Sequence, residues 1–166
     1  RKLTVKIPAG IGTAQRLRLT GEGEHGGAGA PPGDLYVVVH VGSHAFFQRE
    51  GDDLLCDMPV TFPTLALGGE IEIPTLTDPT TINIPKGTQA DTRFRLRGKG
   101  MPNVNGRGQG DLYVRVQVAV PTKLSREQKI LIEELGATLS DRVLEPVSAD
   151  TDEERPFFDR VKDIFG

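Results

Sequence analysis

The sequence predicts a mainly β protein: two tandem small β-sandwich domains, the first one incomplete, followed by a C-terminal helical segment. Three observations carry that expectation. The 166 residues include 20 Gly and 12 Pro, which cut the chain into short segments bounded by turns. A set of sequence blocks recurs at one constant shift. After Leu124 the apolar pattern changes from alternation to a helical period.

The recurrence is a shift of 77 positions, with Val5-Lys6-Ile7-Pro8-Ala9-Gly10 falling on Ile82-Asn83-Ile84-Pro85-Lys86-Gly87. The same shift carries Arg16-Leu17-Arg18-Leu19 onto Arg93-Phe94-Arg95-Leu96 and Gly21 and Gly23 onto Gly98 and Gly100. It also carries Gly33-Asp34-Leu35-Tyr36-Val37 onto Gly110-Asp111-Leu112-Tyr113-Val114. No gap is needed, so two homologous β-units stand in tandem.

Each element has a physical reading. Leu3, Val5 and Ile7 alternate as a strand that Pro8 and Gly10 terminate. Leu17 and Leu19 share one face of a second strand, with Arg16 and Arg18 on the other. A glycine-rich connection leads to a third strand, Asp34 to Val41, in which Leu35, Val37, Val39 and Val41 share a face. Two sheets packed face to face would bury such faces.

The second unit has further strands ahead of its matching part, near Asp53–Val60 and Glu70–Ile73, joined by a short link through Leu65-Ala66-Leu67-Gly68-Gly69. The first unit has almost nothing before Leu3, so half of its sandwich is expected to be missing and the chain to be a fragment. The domains expected are residues 1–44, the second half of the first β-domain, and residues 45–121, the second β-domain. Residues 122–166 form the helical segment, with an acidic linker at 140–155.

In that tail Ser125 and Gln128 have the spacing of a capping box. Leu131, Leu135 and Leu139 recur every four residues, although Gly136 costs the helix about 1 kcal/mol against alanine. A second amphipathic stretch follows in Phe157, Phe158, Val161, Ile164 and Phe165. A short helix of this kind is stable only when docked, on its own chain or on a second one.

Several function classes lose support. The formal net charge is −3 and no strongly basic face is visible, so no direct nucleic-acid binding is expected. The lone Cys56 excludes an internal disulfide and a multi-cysteine zinc site, and its alternating surroundings read as a buried strand position. No apolar run of about 18 residues occurs, so no membrane association is expected and a cytoplasmic location is. Gly21-Glu22-Gly23-Glu24-His25-Gly26 matches a dinucleotide fingerprint but opens no helical pattern, and its glutamates repel a pyrophosphate. His40 and His44 lack a third metal ligand. Asp52 and Asp53 read as turn chemistry, and no nucleophile–base set is evident, so the chain is not expected to be an enzyme.

The pattern points instead to binding. Leu3, Val5, Leu35 and Val37 lie on apolar faces beside an open sheet edge. Such an edge takes an extended peptide by adding a strand: the backbone supplies affinity and apolar pockets select side chains. A carbohydrate-binding sandwich would want more exposed aromatic platforms than Tyr36, Tyr113 and a few Phe provide.

The blocks quoted above, with Phe47-x-Arg49-x-Gly51-x-Asp53-Leu54, Ala66-Leu67-Gly68-Gly69-Glu70-Ile71 and Arg95-Leu96-Arg97-Gly98-Lys99-Gly100-Met101-Pro102, resemble the C-terminal region of DnaJ-type co-chaperones. The match runs from about residue 2 to about residue 139, and Phe157-Phe158-Asp159-x-Val161-Lys162-x-x-Phe165 is similar to the bacterial terminus of that family. The resemblance implies two tandem β-sandwich domains in a homodimer that binds unfolded polypeptides and passes them to a DnaK-type chaperone. It implies that Leu3 and Val37 match positions of an apolar peptide pocket. It further implies dimer contacts through Leu131, Leu135, Leu139, Phe157, Phe158, Val161 and Phe165. The family's His-Pro-Asp motif and its zinc-binding Cys-x-x-Cys-x-Gly-x-Gly repeats are not in this sequence. The expectation is therefore no zinc or other cofactor here and no stimulation of the partner's ATPase by this fragment.

Overall fold

The computed structural model describes residues 2–27 and 30–139. The elements in order are β1 (Arg16–Leu19), β2 (Leu35–Val38), β3 (Phe47–Glu50), β4 (Asp53–Thr61), α1 (Phe62–Leu67), β5 (Gly69–Ile73), β6 (Thr80–Ile84), β7 (Arg93–Leu96), β8 (Leu112–Ala119) and α2 (Arg126–Thr138). The protein is mainly β, and it divides into two compact units after Val120.

The second repeat is a two-layer sandwich. One layer is the sheet β3-β4-β8-β7, the other is the hairpin β5-β6. β4 and β8 run parallel, with Leu54 opposite Leu112 and Val60 opposite Val118. The remaining neighbours are antiparallel. Alternation dictates which side chains enter. Leu54, Cys56 and Val60 from β4 and Leu112, Val114 and Val116 from β8 are buried, and Ile73 and Ile84 of the facing hairpin close over them. Full burial of each aliphatic side chain is worth about 1.5–3 kcal/mol. The outer face of the same strands is charged: Arg115 makes a two-pronged contact with Asp57, Nε to Oδ1 and Nη2 to Oδ2, both at 2.7 Å.

The shift of 77 positions holds in three dimensions. β1 and β2 pair Leu17 with Val37 and Leu19 with Leu35, and β7 and β8 pair Phe94 with Val114 and Leu96 with Leu112. Ala14 and Asp91 sit at the same place before the hairpin, both left-handed at φ 65° and 63°. Ala14 N–H donates to Val39 O and Asp91 N–H to Val116 O, each at 2.8 Å. The glycine-rich connection is tied the same way: Gly23 N–H reaches Gly33 O and Gly100 N–H reaches Gly110 O, again both at 2.8 Å.

Three expectations need correction. Residues 2–8 form no strand. Their counterpart β6 is held by a complete antiparallel ladder to β5, whereas no strand among the described residues pairs with Leu3–Ile7, and an unpaired strand has no ladder to define it. The link at 65–69 starts inside a short helix, α1, with Pro63 in its first turn and Leu65 buried, and Gly69 already opens β5. Gly68, at φ 81°, ends the helix. The third strand of the first repeat is also shorter than its apolar run, Leu35–Val38 and not Asp34–Val41.

α2, taken by itself, begins as its sequence dictates. Ser125 Oγ accepts Gln128 N–H at 3.1 Å and Gln128 Oε1 accepts Ser125 N–H at 2.8 Å, a complete capping box. Residues 140–166, with the expected acidic linker and the Phe157–Phe165 stretch, lie outside the described residues.

Candidate functional site

The site begins with the hairpin β1-β2. Its alternation puts Leu17 and Leu19 of β1 and Leu35 and Val37 of β2 on one face, as directly opposed cross-strand pairs. All four are only half-buried. Their counterparts in β8, Leu112 and Val114, are 0% exposed because β4 lies beside β8 and β5-β6 lies over it. Among the described residues β1-β2 stands as a two-stranded sheet, so the far edge of β2 carries no ladder. That combination of apolar side chains and unpaired backbone is what an added strand requires.

The reverse side of the hairpin keeps its geometry rigid. Asp34 Oδ1 accepts Gly21 N–H at 3.0 Å, and Oδ2 takes the Arg18 guanidinium. The bond from the Gly21 backbone, aided by Arg18, holds the Asp34 carboxyl below the usual aspartate value of 3.8. Asp111 repeats the arrangement with Gly98 N–H at 2.7 Å and Arg95, and its carboxyl is lowered for the same reasons.

Leu35 and Val37 therefore share one half-buried face of β2. Leu3 and Val5 lie on the irregular segment 2–8, Leu3 exposed and Val5 half-buried. Leu17 and Leu19 were not among the expected site residues, yet the cross-strand register makes them neighbours of Val37 and Leu35. The signal was present in the Arg-Leu-Arg-Leu alternation, but a register is not legible without the partner strand.

The expected dimer residues fall into two groups. Leu131 and Leu135 project from α2 and Leu139 is its C-cap; all three are exposed, as are Ile130 and Ile132. Phe157, Phe158, Val161 and Phe165 lie outside the described residues.

Other motifs find ordinary roles. The backbone N–H groups of Gly21 and Gly23 are taken by Asp34 and Gly33, which leaves no phosphate cradle there. Gly51 and Asp52 form the β3-β4 turn, and Asp53 opens β4. Asp52 O accepts Met101 N–H, and Asp53 Oδ1 accepts Asp111 N–H, so this turn organises the glycine-rich connection of the second repeat. His40 is exposed. His44 stacks on Phe47 at 5.0 Å between centroids, and its Nδ1 accepts Phe46 N–H. Among the described residues no group of three or more His, Cys, Asp or Glu is placed to hold a metal ion, and no helix is long and apolar enough to cross a membrane. Cys56 is buried, which pushes its thiol up from the usual value, with the neighbouring Asp57 charge adding to the effect.

Comparison with known proteins follows the same lines. The family described as the DnaJ C-terminal domain matches residues 1–121. Proteins named chaperone protein DnaJ from Bacillus cereus (strain AH820), Bacillus anthracis and Bacillus mycoides (strain KBAB4) are each 58% identical to this chain over 136 residues. The matches cover 82% of this chain and 37% of each relative, so the chain spans little more than a third of their length.

Proposed function

The chain belongs to the DnaJ C-terminal domain family, and on that premise we propose that it is a non-catalytic, polypeptide-binding part of a DnaJ-type co-chaperone. An extended, non-native segment lays its backbone along the free edge of the first β-unit and sets apolar side chains against Leu35 and Val37, with Leu3 and Val5 at the margin. The domains are residues 1–44 and 45–121, with residues 122–166 joining two chains. Leu131, Leu135 and Leu139, with Phe157, Phe158, Val161 and Phe165, supply the dimer contact. In the whole protein the client passes to a DnaK-type chaperone in the cytoplasm.

The observation that carries this reading is the contrast between two equivalent faces: Leu112 and Val114 are enclosed, whereas Leu35 and Val37 are half-buried beside an edge that carries no ladder among the described residues. One seated aliphatic side chain contributes about 1.5–3 kcal/mol, less the ordering of the peptide, so a single site binds weakly. Pairing two chains raises the effective concentration for a second contact. The exposed apolar residues of α2 support that pairing, since a solvated stripe of this kind is not stable by itself.

The test is suppression of aggregation of a chemically denatured client, together with binding of a fluorescent Leu-rich extended peptide. The intact chain does both and Val37→Ser loses peptide binding with the β fold retained. A Val37→Ser chain that binds like the parent rejects the site. Deletion of residues 122–166 gives a monomer by sedimentation; an unchanged dimer rejects the pairing.

A further inference from the structure

We propose that Arg49 is a positioning residue that pins the first repeat to the second and makes the two β-units move as one body. Among the described residues no ladder joins β1-β2 to the sheets of the second repeat, and small polar junctions between β-units ordinarily leave them free to move. Arg49, on β3, spans that junction. Its Nη1 donates to Ile11 O at 2.8 Å, its Nη2 to Gly10 O at 2.6 Å, and its Nε to Gly51 O at 2.7 Å. Two carbonyls belong to the turn before β1; the third belongs to the turn after β3. A planar guanidinium can serve three fixed acceptors at once, and a lysine ammonium on its flexible stem cannot reproduce that fork.

The surroundings reinforce the pin. Ile11 is buried, at 8% exposure. Gly10 lies so close to the second repeat that an added Cβ would stand 1.9 Å from Pro102 O, and its φ of 82° already favours glycine. The Pro102 segment is itself fastened to the Arg49 turn, because Asn103 Nδ2 donates to Asp52 Oδ2 at 2.6 Å. Beyond these contacts the junction opens into a groove of about 680 Å³, with Thr13 and Val41 on one side and Asp52 and Asn105 on the other.

The equivalent turn of the second repeat shows why carbonyls are offered here. There Gly87 and Thr88 use their N–H groups, each at 3.1 Å, on the last carbonyls of α1, Ala66 O and Leu65 O. One turn thus has a donor side that can cap a helix of its own repeat and an acceptor side. In the first repeat the acceptor side faces Arg49.

The experiment is a spin-label distance measurement on the full chain, with labels at the exposed positions Thr20 and Glu72, in a Cys56→Ala background diluted with unlabelled chain. The parent gives one narrow distance distribution. Arg49→Lys and Arg49→Ala widen it at least about twofold while the far-ultraviolet β signal is retained. An unchanged width in Arg49→Lys overturns the proposal. So does a parent distribution already as broad as a free linker would give, whether or not Arg49→Ala folds.

Discussion

Leu35 and Leu112 occupy the same position of the same hairpin in two repeats, each opposite a leucine, Leu19 and Leu96, yet one is half-buried and the other completely enclosed. Identical residues in identical local structure therefore carry different free energies. Leu112→Ala leaves a cavity between β8 and β5-β6 and is expected to cost about 2–5 kcal/mol. Leu35→Ala removes partly solvated surface and is expected to cost well under half of that. Urea unfolding followed by circular dichroism measures both. Equal losses would mean that the two faces are equally enclosed in solution.

Acid stability follows from the paired aspartates. Asp34, Asp111 and Asp57 have carboxyls held below the ordinary aspartate value of 3.8, the first two mainly by a backbone N–H and Asp57 mainly by Arg115. The folded state therefore binds these protons less readily than the unfolded state. Their stabilisation is present above the unfolded value and is lost as pH falls through the lower folded values. Asp111→Asn is expected to flatten the decline of stability below about pH 4, while lowering stability at neutral pH. Urea midpoints measured from pH 7 down to pH 3 check the slope, and a variant with the parent's slope contradicts the assignment.

Glycines separate steric need from habit. At Gly110 an added Cβ would stand 2.0 Å from Asp52 O, inside the clasp that holds the second glycine-rich connection. Gly110→Ala is expected to destabilise by about 2 kcal/mol or more, because backbone must move. Gly136 has open space around its Cβ direction and lies within α2. Gly136→Ala is expected to add helix, by about 1 kcal/mol of propensity. Thermal unfolding of the first variant and the 222 nm signal of the second give the two signs.

Ala14 is left-handed at φ 65°, a conformation that costs an L-residue about 1 kcal/mol and glycine almost nothing. Ala14→Gly is expected to relieve that cost, partly offset by the greater freedom of glycine in the unfolded chain, so stability changes little or rises. Ala14→Val, branched at Cβ, is expected to lose about 1–2 kcal/mol. Denaturation midpoints should place the Val variant below the parent and the Gly variant at or above it; a Val variant as stable as the Gly variant would contradict the backbone reading.

What the sequence determined by itself was everything that depends on local chemistry or on the chain's likeness to itself. Alternation placed β1, the spacing of Ser125 and Gln128 marked the start of α2, and the shift of 77 positions foretold two homologous β-units; that the Arg18–Asp34 pair recurs as Arg95–Asp111 was added by the structure. Leu3–Ile7 failed as a strand because a strand is a relation between two segments, and alternation describes only one of them. Only the tertiary structure decided that Leu35 is half-open while Leu112 is enclosed, and that Arg49 spends its donors on Gly10 and Ile11. The physical reason is that burial and long-range hydrogen bonds belong to what a residue meets in space, and neither period nor propensity encodes a partner that lies far along the chain.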